Sequence, residues 1–132
     1  MESRHYAPRL MLDLPYLHRN YVATGLGSVL PDVLQTFQKQ AQRNLQTIQE
    51  ACRTGNQTAL QETAHTLKGA AGSVGAFRLA DGAEELEDAV EQNDAAAAAR
   101  LCAELAHLTN ATLQAISSIL AQPQDERWPA PF

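Results

Sequence analysis

The sequence predicts an all-α fold: an antiparallel up-down four-helix bundle with a short additional N-terminal helix. Three observations carry this. The chain is 45% hydrophobic but only 5% aromatic, with alanine and leucine dominating, so it offers few runs suited to a sheet. Four stretches place apolar residues at steps of three and four, the spacing of a helix with one buried face. The turn signals between them leave connections of only a few residues, which makes neighbouring helices antiparallel. A length of 132 residues favours one domain.

The elements follow in order. Residues 1–12 read as an N-terminal tail, residues 13–121 as the bundle domain and residues 122–132 as a Pro-containing C-terminal tail. Asp13 is placed to cap a short helix running through Tyr16 and Tyr21 and ended by Gly25-Leu26-Gly27. Ser28 is the expected cap of a long second helix, with Pro31 close to its start. Leu30, Leu34, Phe37, Ala41, Leu45, Ile48 and Cys52 form its seam, and Gly55 ends it.

A third helix starts near Asn56 or Thr58 and stops around Ser73–Val74, where Gly75 supplies a left-handed residue. The fourth runs from about Phe77 to Gln92 with Leu79, Ala83, Leu86 and Val90 inward. Asn93 or Asp94 caps a fifth helix ending near Ala121, whose seam is Leu101, Leu105, Leu108, Thr112, Ala115 and Ile119. Three prolines, counting Pro123, stop any helix from continuing into the C-terminal tail, and Trp128 and Phe132 are expected to pack only weakly.

Charge and composition narrow the function. A formal charge of −5 disfavours a nucleic-acid partner. No apolar run approaches the ~20 residues of a membrane span, and the N-terminus has no signal-peptide core, so a cytoplasmic location is expected. Cys52 and Cys102 lack metal or redox spacing and read as small packed apolar residues.

Residues 64–79 carry the most information. Leu60, Ala64, Leu67, Ala71 and Val74 form a core seam. With that seam at zero and about 100° per residue, His65 sits at about 140°, Lys68 at about 80°, Gly72 at about 120° and Gly69 at about 180°. Gln61 falls near 100° on the same count. The imidazole therefore projects to solvent. Glycine on an exposed helix face costs ~1 kcal/mol against alanine, so a bulky partner approaching His65 is the reading that explains Gly69 and Gly72. The three glycines do not form a nucleotide loop, because the Gly-Lys-Ser/Thr ending and a preceding strand are both missing.

The string His65-Thr66-Leu67-Lys68-Gly69, followed by Gly75 and Leu79, resembles the signature of histidine-containing phosphotransfer (HPt) domains. The run from Lys68 to Gly75 is especially similar to the HPt domain that ends tripartite hybrid sensor kinases. From about Leu14 to Leu120 the likeness is one of helix pattern. The resemblance implies a four-helix bundle that is a phosphotransfer intermediate, not an enzyme in its own right. His65 would take a phosphoryl group from a receiver-domain aspartate and pass it to a second receiver. Free imidazole, with a pKa of ~6.5, is mostly neutral at pH 7 and keeps a lone pair for attack on phosphorus. Lys68 would offset the charge of the phosphoryl group.

Gln61, Glu62, Gly69 and Gly72 would line the docking face, while Arg78 either touches a partner's acidic site or sits in solvent. The chain itself would need no cofactor and no metal; Mg²⁺ would belong to the partner receiver. A monomer is expected, as a free-standing shuttle or as the C-terminal domain of a membrane-anchored hybrid sensor histidine kinase.

Two other readings stand beside this one. The first is an HPt-like bundle that binds or sequesters a signalling partner without chemistry. The second is a carboxylate-bridged di-metal bundle, suggested by Glu62-x-x-His65 and Glu104-x-x-His107, with Glu50 and one of Glu84, Glu87 or Glu91 completing the set. Its ligands would have to project inward, whereas Glu62 and His65 point away from their seam and His107 lies about 120° from its own. The acidic set Glu84, Glu85, Glu87, Asp88 and Glu91 reads as a solvated helix face.

Overall fold

The computed structural model describes residues 7–132, and every regular element among them is helical. Residues 1–6, half of the expected N-terminal tail and including His5, lie outside the described residues. Four long helices form the bundle: α3 (Leu30–Thr54), α4 (Gln57–Ser73), α5 (Phe77–Glu91) and α6 (Ala95–Leu120). Each packs on its two neighbours around the ring, α3 on α4 and α6, and α5 on α4 and α6. Two short turns precede them, α1 (Pro8–Met11) and α2 (Leu14–Leu17), the latter continuing as a π-helical turn over His18–Val22.

Local chemistry sets most boundaries. Asp13, Asn56 and Asp94 each accept a hydrogen bond from the backbone N–H three residues on, which satisfies a helix start. The choices between Asn56 and Thr58 and between Asn93 and Asp94 fall to Asn56 and Asp94. Ser28 does not cap α3. That helix begins after Val29 with no side-chain cap, and Pro31, which lacks an N–H to satisfy, occupies its first turn.

The core follows the seams. Leu34, Ile48, Leu67, Leu79, Leu86, Leu105 and Ile116 are among its fully buried side chains. Cys52 is displaced from the expected α3 seam, since the step after Ile48 is three residues and Ala51 takes the buried place. Thr109 and Thr112 are also buried, and each hydroxyl donates to the carbonyl four residues back.

One end of the bundle is closed by both termini, so neither flank is a simple tail. Met11 and Leu12, expected in the N-terminal tail, are buried in the core. Asp13 N–H donates to the Gly75 carbonyl (3.0 Å), and the Tyr21 hydroxyl donates to the Ser73 carbonyl (3.0 Å). Burial, with Tyr16 nearby, pushes the Tyr21 pKa up and keeps that donor protonated. Tyr16 meets Phe77 edge to face at 5.1 Å between ring centroids.

The C-terminal segment folds back as well. Trp128 is 6% exposed rather than weakly packed, and its indole N–H donates to the Ile119 carbonyl (2.8 Å). Gln122 and Ala130 exchange two hydrogen bonds, and His18 Nε2–H donates to the Pro129 carbonyl (2.7 Å). Proline ends the helix here, yet an amphipathic indole still finds a buried place with a partner for its N–H. Phe132 remains exposed.

Trp128→Ala should lower the unfolding free energy by about 3 kcal/mol. Phe132→Ala should change it by less than about 0.5 kcal/mol. Urea denaturation checks both, and equal small losses would mean that the C-terminal segment contributes nothing to the core.

Candidate functional site

The site is built on α4 and α5. Leu60, Ala64, Leu67 and Ala71 bury the inner face of α4 and so turn the opposite side of that helix outward. His65 lies at mid-helix with a side chain 68% exposed. Gln61 is half-buried one turn before it and Glu62 is exposed. Lys68 is half-buried one turn after it, followed by exposed Gly69 and half-buried Gly72. A Cβ built on Gly69 or Gly72 would meet nothing within 4 Å. Neither glycine is there to let helices approach. Gly82 on α5 does have that job, since a Cβ there would come within 2.7 Å of the Leu108 side chain.

Gly75 ends α4 with φ of +75°, a conformation glycine adopts without steric cost. It also sits 3.0 Å, measured from a built Cβ, from the Tyr16 ring, so the stop doubles as a close-packed joint. The chain then reverses, and α5 returns along α4.

That return brings one residue to the imidazole which the sequence reading had placed in a solvated acidic face. Glu87 is only 14% exposed, and its Oε2 lies 2.9 Å from His65 Nδ1. A carboxylate only accepts, so a neutral His65 must carry its proton on Nδ1 and donate it to Glu87. The lone pair is then left on Nε2, on the solvent side. Glu84, Glu85, Asp88 and Glu91 do sit on the exposed face as expected.

Lys68 is not an unattached charge. Its Nζ lies 3.7 Å from Glu87 Oε1 and 3.8 Å from Glu84 Oε2, with the side chain 34% exposed. Both distances exceed that of a direct hydrogen bond, so the ammonium is held loosely between two carboxylates. Arg78 stands apart. It is half-buried in the first turn of α5, about 13 Å along that helix from Glu87 at 1.5 Å per residue.

The pairs suggested for a di-metal centre do not converge inward. Glu62 and His65 face outward, and the interior between the helices is filled by leucine and alanine. Among the described residues, no three His, Cys, Asp or Glu side chains are grouped to hold a metal ion. Nor is any described helix long and apolar enough to cross a membrane.

Residues 32–118 match the family model for the Hpt domain. No curated protein and no solved structure matches the chain. Because the Cβ positions of Gly69 and Gly72 are open, Gly69→Ala and Gly72→Ala should each raise stability by up to ~1 kcal/mol, measured by thermal and urea unfolding. A loss from either substitution would mean that the glycine serves the fold.

Proposed function

This chain belongs to the Hpt domain family, and on that premise we propose that His65 is its phosphoacceptor. Hpt domains are phosphocarriers of two-component signalling rather than enzymes, and they interact with response-regulator receiver domains. The observation that carries the assignment to His65 is its hydrogen bond to Glu87. That bond holds the ring by Nδ1 and leaves the lone pair of a neutral imidazole on Nε2, in a side chain that is 68% exposed.

In the forward step, Nε2 attacks the phosphorus of a receiver's aspartyl phosphate. The P–N bond forms as the P–O bond to the aspartate breaks, and the carboxylate leaves on the receiver. Glu87 keeps the Nδ1 proton and stabilises the positive charge that the ring gains during attack. It is a positioning residue, acting through the imidazole. Lys68, loosely held, swings toward the phosphoryl oxygens and offsets part of their ~2 negative charges. The reverse step, on a second receiver, uses the same atoms.

Gly69 and Gly72 clear the approach of the receiver's loops, with Gln61 and Glu62 completing the docking face. Mg²⁺ and the acidic cluster that binds it belong to the receiver. The chain works as a cytoplasmic monomer, either alone or as part of a hybrid sensor kinase. The contribution of this chain is placement: one nucleophile on a rigid helix, with its tautomer preset.

Incubation with a phosphorylated receiver tests the reading. Acid-labile label should move to the chain and vanish in His65→Gln, while receiver binding survives. Gly69→Phe should keep its stability and lose transfer by more than about 100-fold, the order of loss expected when a reacting group is misplaced. Binding without any transfer of label would instead identify a sequestering module.

A second comparison isolates Glu87. Glu87→Ala should slow transfer by about 10- to 100-fold at unchanged receiver affinity, the range typical of an orienting partner. Glu87→Gln keeps an acceptor for the Nδ1 proton and should recover most of that rate. Equal rates for the alanine and glutamine variants would remove the positioning role.

A further inference from the structure

The end of the bundle that both termini close also holds a cleft, apart from the imidazole face. Among the described residues, the large apolar side chains left exposed are Leu10, Leu26, Val29, Phe77 and Phe132. Leu10, Phe77 and Phe132 come from distant parts of the chain, yet all of them line one cavity of about 510 Å³. That volume falls within the ~300–1,000 Å³ of small-molecule sites. Single exposed apolar residues are ordinary; several gathered around one concavity mark a place where something binds.

The walls are set in advance. Leu12 and Leu14 lie in the lining and are buried, while Pro15 and Pro131 supply backbone whose φ the ring holds fixed. The Phe77 ring is held edge to face against Tyr16, and Gly75 adds backbone without a side chain.

The charged groups in the lining are not equally free. Asp13 is engaged twice: its N–H donates to the Gly75 carbonyl, and its carboxylate caps α2 by accepting from the Tyr16 N–H. Arg9 is exposed, and among the described residues its side chain makes no hydrogen bond or ion pair. The cleft thus presents apolar walls and one guanidinium whose donors are unused.

We propose that this cleft binds a small molecule with an apolar body and one carboxylate. The body removes Leu10, Phe77 and Phe132 from water, and the carboxylate accepts parallel N–H bonds from the Arg9 guanidinium. A more highly charged head, such as a phosphate dianion, is disfavoured because the Asp13 carboxylate also lines the cleft. The concave shape, walled by segments from both termini and the α4–α5 turn, suits a small molecule better than a flat protein surface.

The site touches the relay only through the fold. Gly75 follows His65 by ten residues, about 15 Å at 1.5 Å per residue, so the ligand does not reach the imidazole. It joins the segment around Arg9, the turn at Gly75 and the C-terminal segment, and it therefore stabilises the folded chain.

The test uses the whole purified chain with octanoate, phenylacetate, octanol and octylamine, followed by amide NMR shifts and thermal unfolding. Octanoate or phenylacetate should bind with a Kd on the order of 1 mM or tighter; the first reports a chain-like occupant and the second a ring-like one. Shifts should concentrate at Leu10, Asp13, Gly75 and Phe77, and Tm should rise by about 4–7 °C at roughly ten times Kd. Octanol should bind about 10-fold more weakly than octanoate, and Arg9→Gln should abolish that difference without moving the Tm of the free chain. Phe132→Ala should weaken octanoate binding by at least about 3-fold. Three results would each overturn the proposal: no saturable binding of either carboxylate, octanol or octylamine binding as tightly as octanoate, or shifts spread equally to Leu26 and Val29, which would mean adsorption to any exposed apolar surface.

Discussion

The turn at Gly75 and Ala76 fixes the register between α4 and α5, and the candidate site depends on that register. His65 and Glu87 are 22 residues apart with Ala76 midway between them. Lys68 and Glu84 share the same midpoint, so the His65–Glu87 hydrogen bond and the Lys68–Glu84 ion pair are successive rungs of one antiparallel ladder. Lengthening or shortening the turn by one residue would rotate every position of α5 by about 100° relative to α4. Glu87 would then leave the imidazole, and the seam residue Leu86 would leave the core. Core packing and site geometry are thus held by the same constraint.

The ends of the bundle protect that constraint. Asp13 binds the Gly75 carbonyl, Tyr21 binds the Ser73 carbonyl, and Tyr16 packs against Phe77. All three contacts fall on the turn or its flanks, where carbonyls at a helix end would otherwise lack partners. The C-terminal segment reaches the same end through His18 and Pro129. Residues of the segment 13–21 therefore hold this turn, the C-terminal segment packs at the same end, and His65 stands at mid-helix, away from any fraying end.

The bundle was legible in the sequence because its signals are local and periodic. Seams at steps of three and four named most of the buried residues of the four long helices, and three carboxylate or amide caps marked helix starts. What the periodicity could not see was contact between residues distant in sequence. Glu87 and Glu84 look alike in a run of acidic residues; only the return of α5 along α4 buries one and exposes the other. The turn at Gly75 was readable, so counting outward from Ala76 would have paired His65 with Glu87. Trp128 escaped for another reason. Proline marks the end of a helix, but it does not say whether the following aromatic residue finds a partner for its N–H.

The charge around His65 bears on what a carrier needs. A group that is to be passed on must not be bound too well, because tight binding of an intermediate slows its departure. Here Glu87 sits against the ring and Glu84 lies beside Lys68, so two carboxylates border the cluster to which a phosphoryl group would add ~2 further negative charges. The Lys68 ammonium would then have to leave the carboxylates to serve the phosphoryl oxygens. Its gain there would be offset by its loss from Glu84 and Glu87, which would keep the net preference for a loaded state small. If His65 is the phosphoacceptor proposed above, Glu87 would support the attack in the same arrangement by holding Nδ1. On that proposal one carboxylate would both speed loading and limit how firmly the load is kept, which would suit transfer in either direction.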